Sequence, residues 1–330
     1  MYQKAAEKGN ICAQTMLGRL YLVGDDSIGF MKDESKGLAL LTQAADKGHG
    51  DAINQLGWCY FEGKGVEGDK EKARQMWEKA ASMGHAESEF DLATSMGSLR
   101  DPQLALPYLK GAAEKGHTVA IGVLGEWYLR GYGVEQDDHR GVQMCTLAAK
   151  RGHAEAIVSL ALHVLKDSEG AEDNRQAREY LEVGAEQGNT TALLELGRLY
   201  RAGIDGIPAD YTKAARYLQE AADGGEYGGL IVLAFMYERE EGFPRDEEKF
   251  KALLLQAGEA GELEGYYHLA CWYTRHNDHK KGGYYLFLAA EGGDLVAQGA
   301  LLHCYRSGYG MFPIDEAKFA FWKRHWRIAE

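Results

Sequence analysis

The chain is poor in proline and cysteine, with five of each among its 330 residues. The cysteines include no Cys-x-x-Cys pair, which excludes a common type of zinc site. No proline-rich linker divides the chain, and no apolar run approaches the ~20 residues that a membrane helix needs. We therefore expect one continuous array without membrane insertion in this segment.

Basic residues are also fewer than acidic ones. The chain has 37 lysine and arginine residues against 50 aspartate and glutamate residues, for a net charge of −13 at pH 7. This balance disfavours non-specific binding to nucleic acid and favours a basic partner. The alternative is that the acidic surface serves only to keep the protein in solution.

What the chain does contain is a repeat. Ala-Ala-x-x-Gly, or a close variant, recurs with a spacing of 32 to 39 residues, which is typical of stacked supersecondary units. The glycines that end these motifs, called the repeat glycines below, are Gly9, Gly48, Gly84, Gly116, Gly152, Gly188, Gly225, Gly261 and Gly293.

Residues after each repeat glycine follow a helical pattern, and we number positions from that glycine. Positions 4 and 9 are mostly small, and position 12 is usually tyrosine. These positions lie on one stripe of a helix, together with position 8. Position 8 is always leucine: Leu17, Leu56, Leu92, Leu124, Leu160, Leu196, Leu233, Leu269 and Leu301.

A second helix is predicted before each repeat glycine. It carries a small residue eleven positions back and a bulkier one seven back, as in Ala73 and Trp77. Glycine suits a left-handed helix C-cap, since it has no Cβ. In several repeats a Gly-x-Gly-Val turn separates the helices. An acidic residue such as Asp69 or Asp137 follows it and can cap the second helix. Each unit is therefore helix, turn, helix.

Read from Ala52 to Gly84, this pattern resembles the SEL-one-like repeat (SLR) family, a relative of the tetratricopeptide repeats. The resemblance implies an all-α fold, a right-handed superhelical α/α solenoid of about eight to nine repeats. We expect a single domain over 1–330. It would comprise a half repeat over 1–9, repeats that end near 48, 84, 116, 152, 188, 225, 261 and 293, and a C-terminal cap over 294–330.

The resemblance also indicates a binding surface. Positions 3, 6, 7, 10, 13 and 14 form the opposite stripe of each first helix, and such stripes line a concave surface in solenoids. We call this set the predicted concave face. Its members are Trp58, Phe61, Glu62, Glu87, Phe90, Asp91, Glu126, Arg130, Glu155, Leu162, Glu195, Arg198, Phe235, Tyr267 and His268.

Aromatic side chains among carboxylates are suited to binding protein, because aromatic and Arg residues carry much of the energy of interfaces. Trp58, Phe61 and Phe90 are the strongest candidates for a hot spot. The alternative is that the helix phase is mis-set, in which case apolar members such as Leu162 belong to the core.

Signs of catalysis or cofactor binding are weak. His49, His85, His117 and His153 each follow a repeat glycine, but stacked repeats lie roughly 10 Å apart, too far to share one ion. We interpret them as turn residues, and the run from Arg275 to His279 as a solvated loop. No phosphate-binding glycine loop precedes Lys-Ser or Lys-Thr. We therefore predict no catalytic residue, no cofactor and no metal.

Three functions remain as hypotheses. The leading one, implied by the resemblance, is a non-enzymatic scaffold that binds a protein partner in its concave groove. Similar bacterial proteins include immunity proteins that neutralise a secreted, type VI-like antibacterial toxin, which is the first alternative. The second is a cell-wall or β-lactam-related hydrolase, which would need a base beside Ser159 or Thr94.

The five cysteines are an odd number, and we interpret them as small buried apolar residues. Unpaired thiols favour a reducing compartment such as the bacterial cytoplasm. A periplasmic protein with buried thiols, whose leader has been removed, is the alternative.

Overall fold

The computed structural model describes residues 2–24, 30–95, 101–166, 168, 170–308 and 312–326, and the regular elements in these ranges are nineteen helices. An isolated bridge joins Ile204 and Ile207. By contacts, the chain forms two compact units, Met1–Leu160 and Ala161–Glu330.

In the first unit and across its boundary the helices are α1 Tyr2–Glu7, α2 Ile11–Val23, α3 Glu34–Asp46, α4 Gly50–Glu62, α5 Lys70–Ser82, α6 Ala86–Ser95, α7 Pro102–Glu114, α8 Thr118–Arg130, α9 Asp138–Lys150 and α10 Ala154–Lys166. Those of the second unit are α11 Ala171–Glu186, α12 Thr190–Ala202, α13 Tyr211–Asp223, α14 Gly228–Glu238, α15 Glu247–Glu259, α16 Glu264–Arg275, α17 His279–Gly292, α18 Leu295–Ser307 and α19 Glu316–His325.

Within each unit, helices that are consecutive in the chain pack against each other. In the first unit α4 packs against α5 of its own repeat and against α3 of the preceding one, and in the second unit α16 packs in the same way against α17 and α15. First helices also contact each other, as α2 does α4 and α12 does α14. Each repeat therefore buries its apolar stripe against its neighbours in the chain, as stacked repeats do.

Positions 4, 8 and 9 of the predicted helix stripe are buried in every repeat, whereas most of the tyrosines at position 12 are half-buried. The leucine at position 8 is buried in all nine repeats, with relative exposures of 6% or less. Position 9 packs against the second helix: a Cβ added to Gly57 would lie 2.6 Å from Cδ1 of Trp77, which is fully buried. The Trp77 indole N–H donates to the carbonyl of Asn54 at 3.2 Å. In this repeat the first helix therefore comes close to the second because position 9 is a glycine.

The tyrosine at position 12 has a recurring partner. In six repeats a lysine lies 4.9 to 5.7 Å from the ring centroid, as Lys213 does over Tyr200, and Arg140 takes this place over Tyr128. The lysine is the third residue of the second helix, and the aspartate that caps that helix forms an ion pair with it in most repeats, as Asp210 does with Lys213 at 3.8 Å. This cation–π contact joins the two helices of a repeat.

Helix ends follow the predicted chemistry. All nine repeat glycines have positive φ, between 79° and 111°. Asp69 accepts hydrogen bonds from the backbone N–H groups of Glu71 and Lys72, and Asp137 accepts from that of Arg140, so both predicted N-caps are confirmed. The sequence therefore determines where these helices stop and start.

Two expectations need correction. Cys59, Cys145 and Cys304 are buried, but Cys12 is exposed and Cys271 is only half-buried. Cys12 lies at position 3 and Cys271 at position 10, which are positions of the predicted concave face. The run from Arg275 to His279 is not one loop. Arg275 ends α16 and His279 begins α17, which leaves three residues between the helices.

Two glycine substitutions test the helix contact at position 9. We expect Gly57→Ala to lower the free energy of unfolding by about 1–3 kcal/mol, because the new methyl group overlaps the rigid, buried Trp77. Gly299→Ala is the matched control, since a Cβ there meets no atom within 4 Å. It should raise stability by about 0.5–1 kcal/mol through helix propensity. Urea unfolding followed by circular dichroism measures both, and equal effects of the two variants would contradict the account.

Candidate functional site

The first helices α4, α6 and α8 carry the predicted concave face of the first unit, apart from Glu155 on α10. Glu62, Glu87 and Arg130 are exposed, whereas Glu126 and all three aromatic members are half-buried. Asp91 is buried, with a relative exposure of 4%. The polar members thus lie at the surface, and the aromatic members lie partly beneath them.

Trp58 is the centre of an aromatic cluster. Its ring lies 5.5 Å from that of Phe61 and 5.2 Å from that of Trp77, in edge contacts between centroids. Its indole N–H donates to Oδ2 of Asp91 at 3.1 Å. Trp58 therefore supports the fold as well as contributing apolar surface.

Asp91 is a buried carboxylate in a polar network. Its Oδ2 also accepts from Nδ2 of Asn54 at 2.5 Å, and the same amide reaches Oγ of Ser88 at 3.0 Å. No ion pair joins Asp91 to a cation within the described ranges. Burial raises the pKa of Asp91, Glu87 raises it further, and the hydrogen bonds from Asn54 and Trp58 oppose the rise.

Phe90 stacks on His117, with 4.6 Å between ring centroids. His117 Nδ1 accepts from the backbone N–H of Ala120 at 3.1 Å, so its Nε2 carries the proton and donates to Glu87 at 2.9 Å. This hydrogen bond and the nearby imidazoles hold the pKa of Glu87 below its usual range, against the effect of burial. The predicted turn histidine thus links two repeats.

The same arrangement recurs one repeat earlier. His85 bonds to Ser88 in its own repeat at 2.9 Å and to Asp51 of the preceding one at 2.8 Å. His49 bonds to Thr15 at 3.1 Å. Among the described residues no group of three or more histidine, cysteine or acidic side chains is placed to hold a metal ion.

The remaining members form local pairs. Glu126 pairs with Arg130 at 2.9 Å, and Glu195 pairs with Arg198 at 2.8 Å. Glu155 is exposed and pairs with His153 at 3.0 Å, and Leu162 is half-buried in α10. In the second unit Phe235 meets His268 edge-on at 4.8 Å, and Tyr267 lies 5.8 Å from the same imidazole.

A cavity of about 310 Å³ opens beside Phe235 and Arg198 in the second unit. Glu226, Glu262 and Glu264 also line it. Burial raises the pKa of Glu262, and the negative charges of Glu264 and Glu226 add to the rise. This part of the surface therefore combines apolar side chains with three glutamates and two arginines.

Sequence reasoning missed Asn54, the buried donor that holds Asp91. A clue was available: position 6 is aliphatic in three other repeats, as Val158, Leu194 and Ile231. A polar residue at a position that is otherwise apolar and buried needs a partner in the next repeat.

Comparison with protein families identifies nine Sel1 repeats, at residues 1–10, 13–49, 50–85, 86–117, 120–153, 154–189, 190–226, 229–262 and 264–294. The chain therefore belongs to the Sel1 repeat family, and its fold is an all-α solenoid of these repeats. Proteins of this family are generally non-enzymatic scaffolds for protein interaction.

Solved structures of bacterial Sel1 proteins have the same fold. One is c5321, a protective antigen present in uropathogenic Escherichia coli strains, with 27% identity over 98% of this chain and 70% of that one, at a TM-score of 0.64. Another is a Sel1 repeat protein from Oxalobacter formigenes, with 25% identity over 91% of this chain and 88% of that one, at a TM-score of 0.60.

A third match is the immunity protein Pa5087 from Pseudomonas aeruginosa, with 22% identity over 65% of this chain and 83% of that one. Its TM-score of 0.43 is too low to support an argument about this chain.

Within the described ranges, no helix has both the length and the apolar character that crossing a membrane requires.

Asp91→Asn tests the buried carboxylate. Folding raises the pKa of Asp91. The ionised form therefore opposes folding at neutral pH, and this cost disappears as the pH falls through the folded-state pKa toward the unfolded-state value. The amide keeps an oxygen that can accept from Trp58. We expect the variant to gain stability relative to the parent at pH 7 and to lose that advantage near pH 4.

Urea unfolding of both proteins at the two pH values measures this difference. Asp223→Asn is the control, since Asp223 is exposed on α13, and it should show no such change with pH. A loss of stability in Asp91→Asn that is the same at both pH values would contradict the account.

Proposed function

We propose that this chain is a non-enzymatic scaffold that holds a basic segment of a protein partner on the predicted concave face. The observation that carries the proposal is the composition of that face in the first unit. Half-buried aromatic rings lie beside carboxylates that are exposed to solvent. Such a surface offers apolar area and negative charge together.

The carboxylates are only partly neutralised by their neighbours. Glu62 pairs with Lys64 at 2.5 Å, whereas among the described residues the partner of Glu87 is the imidazole of His117 rather than a lysine or arginine. Asp91 adds a charge beneath them without an ion pair in the described ranges. A lysine or arginine from a partner would supply the missing positive charge, and arginine would also stack on the aromatic rings.

The cavity beside Phe235 in the second unit has the same two components. Three glutamates and one phenylalanine line it, with Arg198 and Arg201 at its side. Arg201 is already paired with Glu241. The aromatic-and-acidic combination therefore occurs in both units, which supports a partner that contacts more than one repeat.

The alternative functions have less support. No described feature favours neutralisation of a toxin over another protein interaction, so the immunity hypothesis stays a prediction. A hydrolase would need an activated hydroxyl, and that of Thr94 donates to the carbonyl of Phe90 at 3.0 Å. That the whole chain acts as one cooperative domain also stays a prediction.

The experiment uses charge reversal rather than removal of the aromatic rings, because Trp58 and Phe90 also pack inside the fold. The double variant Glu62→Lys/Glu87→Lys changes exposed side chains. Its matched control is Glu114→Lys/Glu186→Lys, two exposed residues near the ends of second helices. Each protein is used to capture partners from a lysate of the source cell at low and at high salt.

We expect the parent and the control to retain the same partner protein. The double variant should retain at least about tenfold less of it, because like charges repel across an interface. High salt should weaken its retention. Equal retention by the double variant would contradict the proposed face.

A further inference from the structure

A second cavity lies in the last repeats of the second unit, between α16, α17 and α18. Its volume is about 340 Å³, within the range of roughly 300–1,000 Å³ that small-molecule sites occupy. Its apolar lining includes Leu286 and Phe312, and the thiols of Cys271 and Cys304 also face it.

The cavity arises from four small residues. Cys271 lies at position 10 of α16, and Gly283 lies in α17, ten residues before the next repeat glycine. Ala300 and Cys304 lie at positions 7 and 11 of α18. One repeat earlier, the equivalent residues are Phe235, Lys251, His268 and Trp272. The backbone pattern is the same, and the side chains are much smaller.

In the preceding repeat the four large side chains fill this space. Phe235 contacts His268, with 4.8 Å between ring centroids, and Lys251 lies 4.7 Å from the centroid of Trp272. Two aromatic rings and a cation thus occupy the place that is open in the last repeats. The cavity therefore has room for a ring, and its sulfur atoms can contact aromatic groups favourably.

The polar lining has one sign of charge. Arg275, His279 and His303 face the cavity, and none of the described residues that line it is an aspartate or a glutamate, although the chain as a whole carries −13. Arg275 forms no ion pair with any described residue, and Nδ1 of His279 is buried without a hydrogen-bond partner there. A buried ring nitrogen of this kind needs a partner.

We propose that this cavity binds a small aromatic carboxylate. The ring occupies the space bounded by Phe312, Leu286 and the two thiols, where the preceding repeat has its own aromatic side chains. The carboxylate is held by Arg275 and His279. Tyr267 of the predicted concave face also lines this cavity, but binding of a small carboxylate does not depend on a protein partner.

The probe is 3-phenylpropionate, with its neutral amide as the ligand control. Isothermal titration calorimetry with the full chain measures the affinity, and saturation-transfer NMR detects contact with the ring. We expect saturable binding at one site, with the amide bound at least about tenfold more weakly, because a charge-assisted hydrogen bond is lost.

Two kinds of variant locate the site. Cys271→Phe/Ala300→His copies the preceding repeat into the cavity and should abolish binding, and Cys271→Phe alone provides a smaller change if the double variant is unstable. Arg275→Gln should weaken binding about tenfold. Arg19→Gln, an exposed arginine in the first unit, is its control and should bind as the parent does.

Thermal unfolding of each variant shows that it is folded under the conditions of the titration. Three results would overturn the proposal. These are no saturable binding of 3-phenylpropionate at millimolar concentration, equal affinity for the acid and the amide, and unchanged affinity in a folded variant whose cavity is filled.

Discussion

The two helices of a repeat can approach closely only where both lack a large side chain. A Cβ added to Gly37 would lie 2.8 Å from the carbonyl oxygen of Gly18, and one added to Gly141 would lie 3.0 Å from that of Gly125. These pairs join position 9 of a first helix to the small residue eleven before the next repeat glycine. The leucine at position 8, the tyrosine at position 12 and the capping aspartates are all arranged around this crossing. Substitution is therefore restricted on the stripe that faces inward and less restricted on the opposite one, where buried members such as Asp91 are the exception.

This difference between the two stripes explains why the side chains proposed to bind a partner or a ligand lie on the predicted concave face and in the last repeats. Where position 10 is tryptophan, its indole bonds to a carboxylate of the next repeat. Where it is cysteine, a cavity opens. The same backbone thus presents an acidic aromatic surface in one place and a basic, ring-sized cavity in another. Both differences depend on a few side chains and leave the helix contacts unchanged.

Much of the fold could be predicted because it depends on residues that recur within one repeat. The glycine C-caps, the aspartate N-caps and the buried leucines follow from local chemistry, and the structure confirms them. The contacts of His117, Asn54 and Asp91 could not be predicted, since each bonds to a side chain 30 to 37 residues away, in the adjacent repeat. The register between repeats determines these pairs. The cavity was missed for the same reason, because its walls come from three helices.

Hydrogen-exchange mass spectrometry of the chain with and without a captured partner tests the central claim most directly. The account predicts protection of amides in the first helices α4, α6 and α8, with the second helices α5, α7 and α9 unchanged. Protection confined to the second helices would contradict it, because the partner would then bind the surface opposite the predicted concave face.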